Sequence, residues 1–291
     1  MLKVIENEKL IAEINEKGAE LFSLKSKKTG AEILWQGDAE FWKDRAPTLF
    51  PICGRLFEGK YTYNGNVYEM NLHGFARASE FSSNQISENE IEFLLVANDD
   101  TKKIYPFDFK LAITFKLVDN QLVKTIRVTN AGKEVMPFSF GGHPGFNVPI
   151  YNNEEFTDYY VEFPTEKLNK IVMSERCLYT GVIEEYPLVD KKIALKHDLF
   201  DNDALFFEMK DASVKLKSKK SNFELEMAFN DMTCLGLWHK PKAEAPYVCI
   251  EPWHGVPADD GVVDDLLLKR QMIHLGVGDT YENTYSIKIK E

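Results

Sequence analysis

Phe109-Lys110-Leu111-Ala112-Ile113-Thr114-Phe115-Lys116-Leu117, then Asp119-Asn120, then a segment in which Ile126 and Val128 resume the same rhythm, is the stretch that decides the fold. Leu111, Ile113, Phe115 and Leu117 point one way and Lys110, Ala112, Thr114 and Lys116 the other. Strict period-two alternation describes a strand with one dry and one wet face, and Asp-Asn between two such runs supplies a tight turn. The segment is therefore read as an antiparallel hairpin.

The same grammar recurs along the chain. Tyr61-Thr62-Tyr63 and Val67-Tyr68-Glu69-Met70 flank Asn64-Gly65, a strong short hairpin signal. Alternation returns at Phe223, Leu225, Met227 and Phe229, and at Tyr285, Ile287 and Ile289, which is expected to form a covered edge strand or a subunit contact. Helical spacing is scarce, with a short turn of helix expected only at Asp264 to Arg270. Many short strands without intervening long helices indicate an all-β fold, a large antiparallel β-sandwich. No Pro/Gly/Ser-rich linker, low-complexity run or repeat divides the chain, so residues 1–291 are expected to form a single domain.

Composition narrows the function. Hydrophobic residues make up 44% of the 291, enough for a substantial core. A net charge of −11 with no basic stripe argues against nucleic acid. The lysines between Lys215 and Lys220 alternate with Val214, Leu216 and Ser218 and read as the wet face of a strand. Cys53, Cys177, Cys234 and Cys249 contain no Cys-x-x-Cys pair and are expected to be buried thiols in a reducing compartment. The first residues lack the apolar core of a signal peptide, and no segment reaches the ~20 apolar residues of a membrane helix. A cytoplasmic protein without a membrane partner is expected, its oligomeric state open. No dinucleotide or P-loop fingerprint is present, so no cofactor is implied. His239 and His254 lack zinc-motif spacing, and no metal is expected.

Four segments place a titratable or cationic side chain beside glycine: Pro51-Ile52-Cys53-Gly54-Arg55-Leu56, Leu72-His73-Gly74-Phe75-Ala76-Arg77, Gly141-Gly142-His143-Pro144-Gly145-Phe146-Asn147, and Cys249-Ile250-Glu251-Pro252-Trp253-His254-Gly255. Glycine allows backbone and ligand to approach closely, and together the segments suggest one polar ligand cleft. Histidine titrates near neutrality and burial tunes a glutamate toward it, so His143 and Glu251 make an acid and a base.

Taken in order, Gly54-Arg55, Leu72 to Arg77, Gly142 to Asn147 and Ile250-Glu251-Pro252-Trp253 resemble the aldose 1-epimerase (galactose mutarotase) family, in particular its LacX-type branch. The resemblance implies a galactose mutarotase-like sandwich with a shallow sugar cleft. It implies a cofactor-free interconversion of α and β anomers of a hexose. Glu251 would take the proton from the anomeric hydroxyl and His143 would protonate the ring oxygen. His73 would stand beside as a second donor and Arg55 would offer forked donors to sugar oxygens. Asp203 is matched to the family's sugar-binding aspartate, with Asp201 an alternative two residues away. Trp253 and Trp238 would pack against the apolar face of the sugar. Opening a hemiacetal ring needs one proton removed and one delivered, which a carboxylate and an imidazolium supply without nucleophile or metal.

One departure bears on the substrate. Typical galactose mutarotases follow the first histidine with a second glycine, whereas His73-Gly74-Phe75-Ala76-Arg77 resembles the branch acting on hexose 6-phosphates. Arg77, with Arg55 and help from Arg45 or Lys43, would then hold a phosphate. A non-catalytic carbohydrate-binding or sensing protein is a second alternative. A glycoside hydrolase pairing Glu251 with Asp203 is a third.

Overall fold

The expected hairpin is present: Phe109–Val118 and Gln121–Asn130 pair antiparallel outward from Val118↔Gln121. A computed structural model describes all residues from Met1 to Glu291. Leu111, Ile113, Phe115 and Leu117 are buried, as are Leu122, Ile126 and Val128 across from them. Asn64 and Gly65 both take positive φ between Lys60–Tyr63 and Asn66–Glu69, the turn that Asn-Gly favours.

Two large sheets carry the architecture. The nine-stranded sheet runs Lys192–Ala194, Tyr159–Glu162, Ala212–Ser218, Glu224–Phe229, Thr280–Lys290, Gln121–Asn130, Phe109–Val118, Glu90–Val96, Ser82–Ser87. The second runs Tyr179–Pro187, Lys167–Met173, Leu205–Glu208, Cys234–Trp238, Tyr247–His254, Phe140–Gly142, Thr48–Leu49, with Gly145–Asn147 also paired to Tyr247–His254. Leu2–Glu6, Leu10–Asn15 and Glu20–Ser26 make a smaller antiparallel sheet. One hydrophobic core takes residues from Ile5 to Ile289 and includes side chains of all three sheets.

Three expectations are corrected. Thr280–Lys290 is an interior strand, hydrogen-bonded to Glu224–Phe229 on one side and Gln121–Asn130 on the other. Alternation reports which face of a strand is dry and says nothing of whether its edges are paired. Asp264 to Arg270 is a run of turns in which the Leu268 and Lys269 N–H groups both donate to the Asp265 carbonyl. The one α-helix is Asp99–Ile104, started by a capping box in which the Asn98 side chain accepts from Asp100 and Thr101 N–H while the Thr101 hydroxyl accepts from Asn98 N–H.

Lys124 occupies an inward slot of the hairpin between Leu122 and Ile126 and is 3% exposed. Its Nζ donates to Thr48 Oγ1 at 2.8 Å and lies 5.2 Å from the Phe115 ring centroid. Burial lowers its pKa to about 7. An ordinary amine titrates near 10.5, so the folded state binds this proton less tightly than the unfolded one. The group's penalty is then complete below pH 7 and fades as pH rises from about 7 to about 10.5. Lys124→Met is expected to stabilise the fold by a few kcal/mol at pH 6 and by much less at pH 10. Denaturant unfolding at the two pH values checks this, and an equal effect at both contradicts the assignment.

Candidate active site

All of Tyr247–His254 except His254 is buried, because both faces of this strand are covered. Val248 and Ile250 enter the main core, while Tyr247, Cys249 and Trp253 belong to separate clusters on the opposite face. Glu251 shares that opposite face by alternation. The neighbouring strand is interrupted beside it: Phe140 and Gly141 pair with His254 and Trp253, and Gly145 to Asn147 pair with Cys249 to Tyr247. His143-Pro144 fills the break, with the Ile250 N–H donating to the Pro144 carbonyl. The next backbone site on that side belongs to Pro252, which has no N–H to leave unpaired where the neighbour is broken. The break delivers His143 to Glu251.

His143 Nε2 and Glu251 Oε2 are 3.2 Å apart. The imidazole lies against Trp42 and Trp238, with ring centroids at 4.9 and 5.6 Å. His143 Nδ1 and Glu251 Oε1 are buried without hydrogen-bond partners. Burial raises the Glu251 carboxyl well above the usual carboxylate range, and the Asp203 charge adds to this. Burial, with Arg77 assisting, lowers His143 to about 3. Both directions have one cause, exclusion of water from charged groups, and they favour one proton held on the carboxyl beside a neutral imidazole.

His73 takes φ 65° and stands across from His143 with ring centroids 5.5 Å apart. Its Nδ1 accepts from the Gly54 N–H at 3.1 Å. That bond fixes the neutral tautomer with hydrogen on Nε2. Burial, reinforced by the neighbouring His143 and arginines, holds its pKa well below 6.5, so His73 remains a neutral donor. Gly54 has φ +75°, and a Cβ there would lie 2.5 Å from Pro257 Cγ, so only glycine presents its N–H in this place.

Glu251, His143, His73, Arg55, Arg77, Asp203, Trp253 and Trp238 line one cavity of about 410 Å³, open to solvent. Arg55 is exposed at its rim. Arg77 forms an ion pair with Asp44, both about three-quarters buried. Asp203 lies just before Leu205–Glu208 and accepts from the Cys177 thiol. Asp201 is exposed and does not line the cavity, which separates the two aspartates. Trp253 is 2% exposed, packed on Phe206 and His73, with its Nε1 unpartnered.

Cys177 departs from expectation: it is half-buried and lines the cavity, whereas Cys53, Cys234 and Cys249 are buried. Arg45 is also placed elsewhere, its guanidinium over the Phe22 ring and bonded to the Phe22 carbonyl and Gln36. Trp42, which sequence reasoning missed, forms a cavity wall with Trp238. Its signal was a tryptophan among charged residues, Trp42-Lys43-Asp44-Arg45, outside any alternating run.

The family model described as aldose 1-epimerase matches residues 1–263. The plasmid-borne protein LacX of Lactococcus lactis subsp. lactis is 31% identical over 98% of both chains. The chain belongs to the aldose 1-epimerase family. Within the family it is of the LacX type. Among solved structures, a galactose mutarotase related enzyme from Lactobacillus acidophilus matches with TM-score 0.96 and 37% identity, over 100% of this chain and 98% of that one. A galactose mutarotase-like protein from Lactobacillus casei ATCC 334 matches with TM-score 0.94 and 30% identity over the whole of both chains. The aldose 1-epimerase fold is therefore this chain's fold: antiparallel sheets with almost no helix.

Proposed function

We propose that this protein is a mutarotase for a free, unphosphorylated hexose, with Glu251 and His143 as the base and acid. Family membership supports sugar mutarotation as the activity. The observation that carries the mechanism is the 3.2 Å approach of His143 Nε2 to Glu251 Oε2 at the edge of an open cavity. The anomeric hydroxyl and the ring oxygen of a sugar are bonded to the same carbon, so the groups serving them must also be neighbours.

Ring opening starts with Glu251 ionised and His143 protonated. The carboxylate takes the anomeric hydroxyl proton, C1–O5 breaks, and the imidazolium protonates O5. This leaves a neutral acid and a neutral imidazole, the protonation state that burial favours. The surroundings of the pair thus match the open-chain stage, when the aldehyde turns about C1–C2. Closure runs the transfers backward onto the other face. His73 donates from Nε2 to a sugar oxygen, Asp203 and Arg55 hold hydroxyl groups, and Trp42 and Trp238 cover the apolar side.

The preference for an uncharged sugar rests on Arg77. Its charge is matched by Asp44, and Asp203 adds a carboxylate to the same cavity. A phosphate gains little from a cation already paired. Polarimetry on freshly dissolved α-D-galactose and α-D-glucose, with a coupled exchange assay on glucose 6-phosphate, tests the reading. Acceleration of a free sugar is expected; acceleration confined to the phosphate contradicts it. Asp44→Asn, which frees Arg77, is expected to raise the phosphate-to-free-sugar ratio of kcat/KM roughly tenfold, about 1.4 kcal/mol of discrimination. An unchanged ratio leaves Arg77 without a hand in specificity.

A further inference from the structure

We propose that His143, Glu251 and Cys249 also form a binding site for a divalent metal ion of the zinc class, which excludes sugar while it is bound. Cys249 and Glu251 are two residues apart on one strand and face the same side, and His143 descends onto them from the break in the next strand. One ligand atom from each of the three lies within 4.8 Å of the others. Zinc bonds of about 2.0–2.3 Å require tetrahedral ligand atoms nearer ~3.5 Å apart, so the cluster has to tighten by about 1 Å. His143 Nε2 and Glu251 Oε2 already meet the requirement at 3.2 Å.

Two features go beyond proximity. His143 Nδ1 and Glu251 Oε1 are buried and lack any partner, an arrangement that a buried polar cluster tolerates poorly without a ligand. The charge arithmetic is also favourable. A thiolate and a carboxylate together carry two negative charges, which balance a Zn²⁺ bound with a neutral imidazole. Imidazole, thiolate and carboxylate together suit zinc-class ions better than Mg²⁺ or Ca²⁺, which prefer all-oxygen sites. The cavity lies open to a fourth ligand, water. His143 reaches Cys249 and Glu251 from a segment about a hundred residues away, a separation that no short metal motif has.

The metal binding stands by itself, while its competition with sugar rests on the proposed function. Zn²⁺ titration by calorimetry is expected to give one saturable site with net proton release. Co²⁺ is expected to give tetrahedral d–d bands and a thiolate charge-transfer band. Cys249→Ala should weaken both metals at least tenfold and abolish the charge-transfer band while anomer exchange persists. Cys249→Ser serves if the alanine variant folds poorly, and Cys177→Ala should leave the band intact. Absence of saturable binding, or a band that follows Cys177 instead of Cys249, overturns the proposal. Binding that is lost with Cys249 but leaves sugar turnover undisturbed overturns only the competition. Absence of turnover in the metal-free wild type bears on the mutarotase reading and leaves the metal titration informative.

Discussion

Glu251→Gln is expected to bind sugar saturably and to exchange anomers about 10²–10⁴-fold more slowly than wild type. The amide keeps the shape and hydrogen-bonding reach of the carboxyl but cannot take the anomeric proton. Stability should move the opposite way. The Glu251 carboxyl is raised well above its ordinary value of 4.5 by burial. As pH climbs past that value the unfolded chain releases the proton while the folded chain holds it, so this group makes the wild type progressively less stable. Glutamine has no such dependence, and the variant's melting temperature should gain on wild type between pH 5 and 8. A rate loss accompanied by a stability gain marks a group retained for chemistry at the expense of the fold. Progress curves by polarimetry and thermal melts at three pH values check both halves. Unchanged turnover in the variant removes Glu251 from the mechanism.

Much of the fold was legible because antiparallel strands covered on one face must alternate, and Phe109 to Leu117 does so without exception. Legibility fails where both faces are covered. Tyr247–His254 reads as a continuous apolar run interrupted by Glu251, and nothing in it says which face meets the cavity. Lys124 fails for a related reason: a lysine in an inward slot looks like a lapse in the pattern until Thr48 is seen beneath its amine. Edge pairing is invisible too, since Thr280–Lys290 alternates whether or not a strand lies on each side. In the cavity, an adjacent glycine was the readable signal for Arg55, His73 and His143, because close backbone approach has a sequence signature, whereas Glu251 was readable through Ile250-Glu251-Pro252-Trp253. Trp42, Cys177 and Cys249 have no such signature. They reach the cavity or its floor through loop paths and strand facing that only the assembled sheet determines.

His143→Gln is expected to lose activity by a similar 10²–10⁴, and the double variant with Glu251→Gln should lose hardly more than either alone, because one proton passes between partners that act as a unit. The pH profile separates this role from a merely structural one. In the wild type the competent form of the pair holds a single proton, and burial drives the carboxyl up and the imidazole down to about 3, so that form spans the interval between about 3 and the raised Glu251 value. kcat/KM should therefore be flat across that interval and fall above it, where the pair loses its proton. With His143 gone the residual rate depends on Glu251 being ionised, so it should climb with pH over the range in which the wild type falls. The sign of the slope reverses. A His143→Gln enzyme that kept the descending alkaline limb would place the acid on another group, and His73, whose ring centroid lies 5.5 Å from that of His143, would be the first to replace.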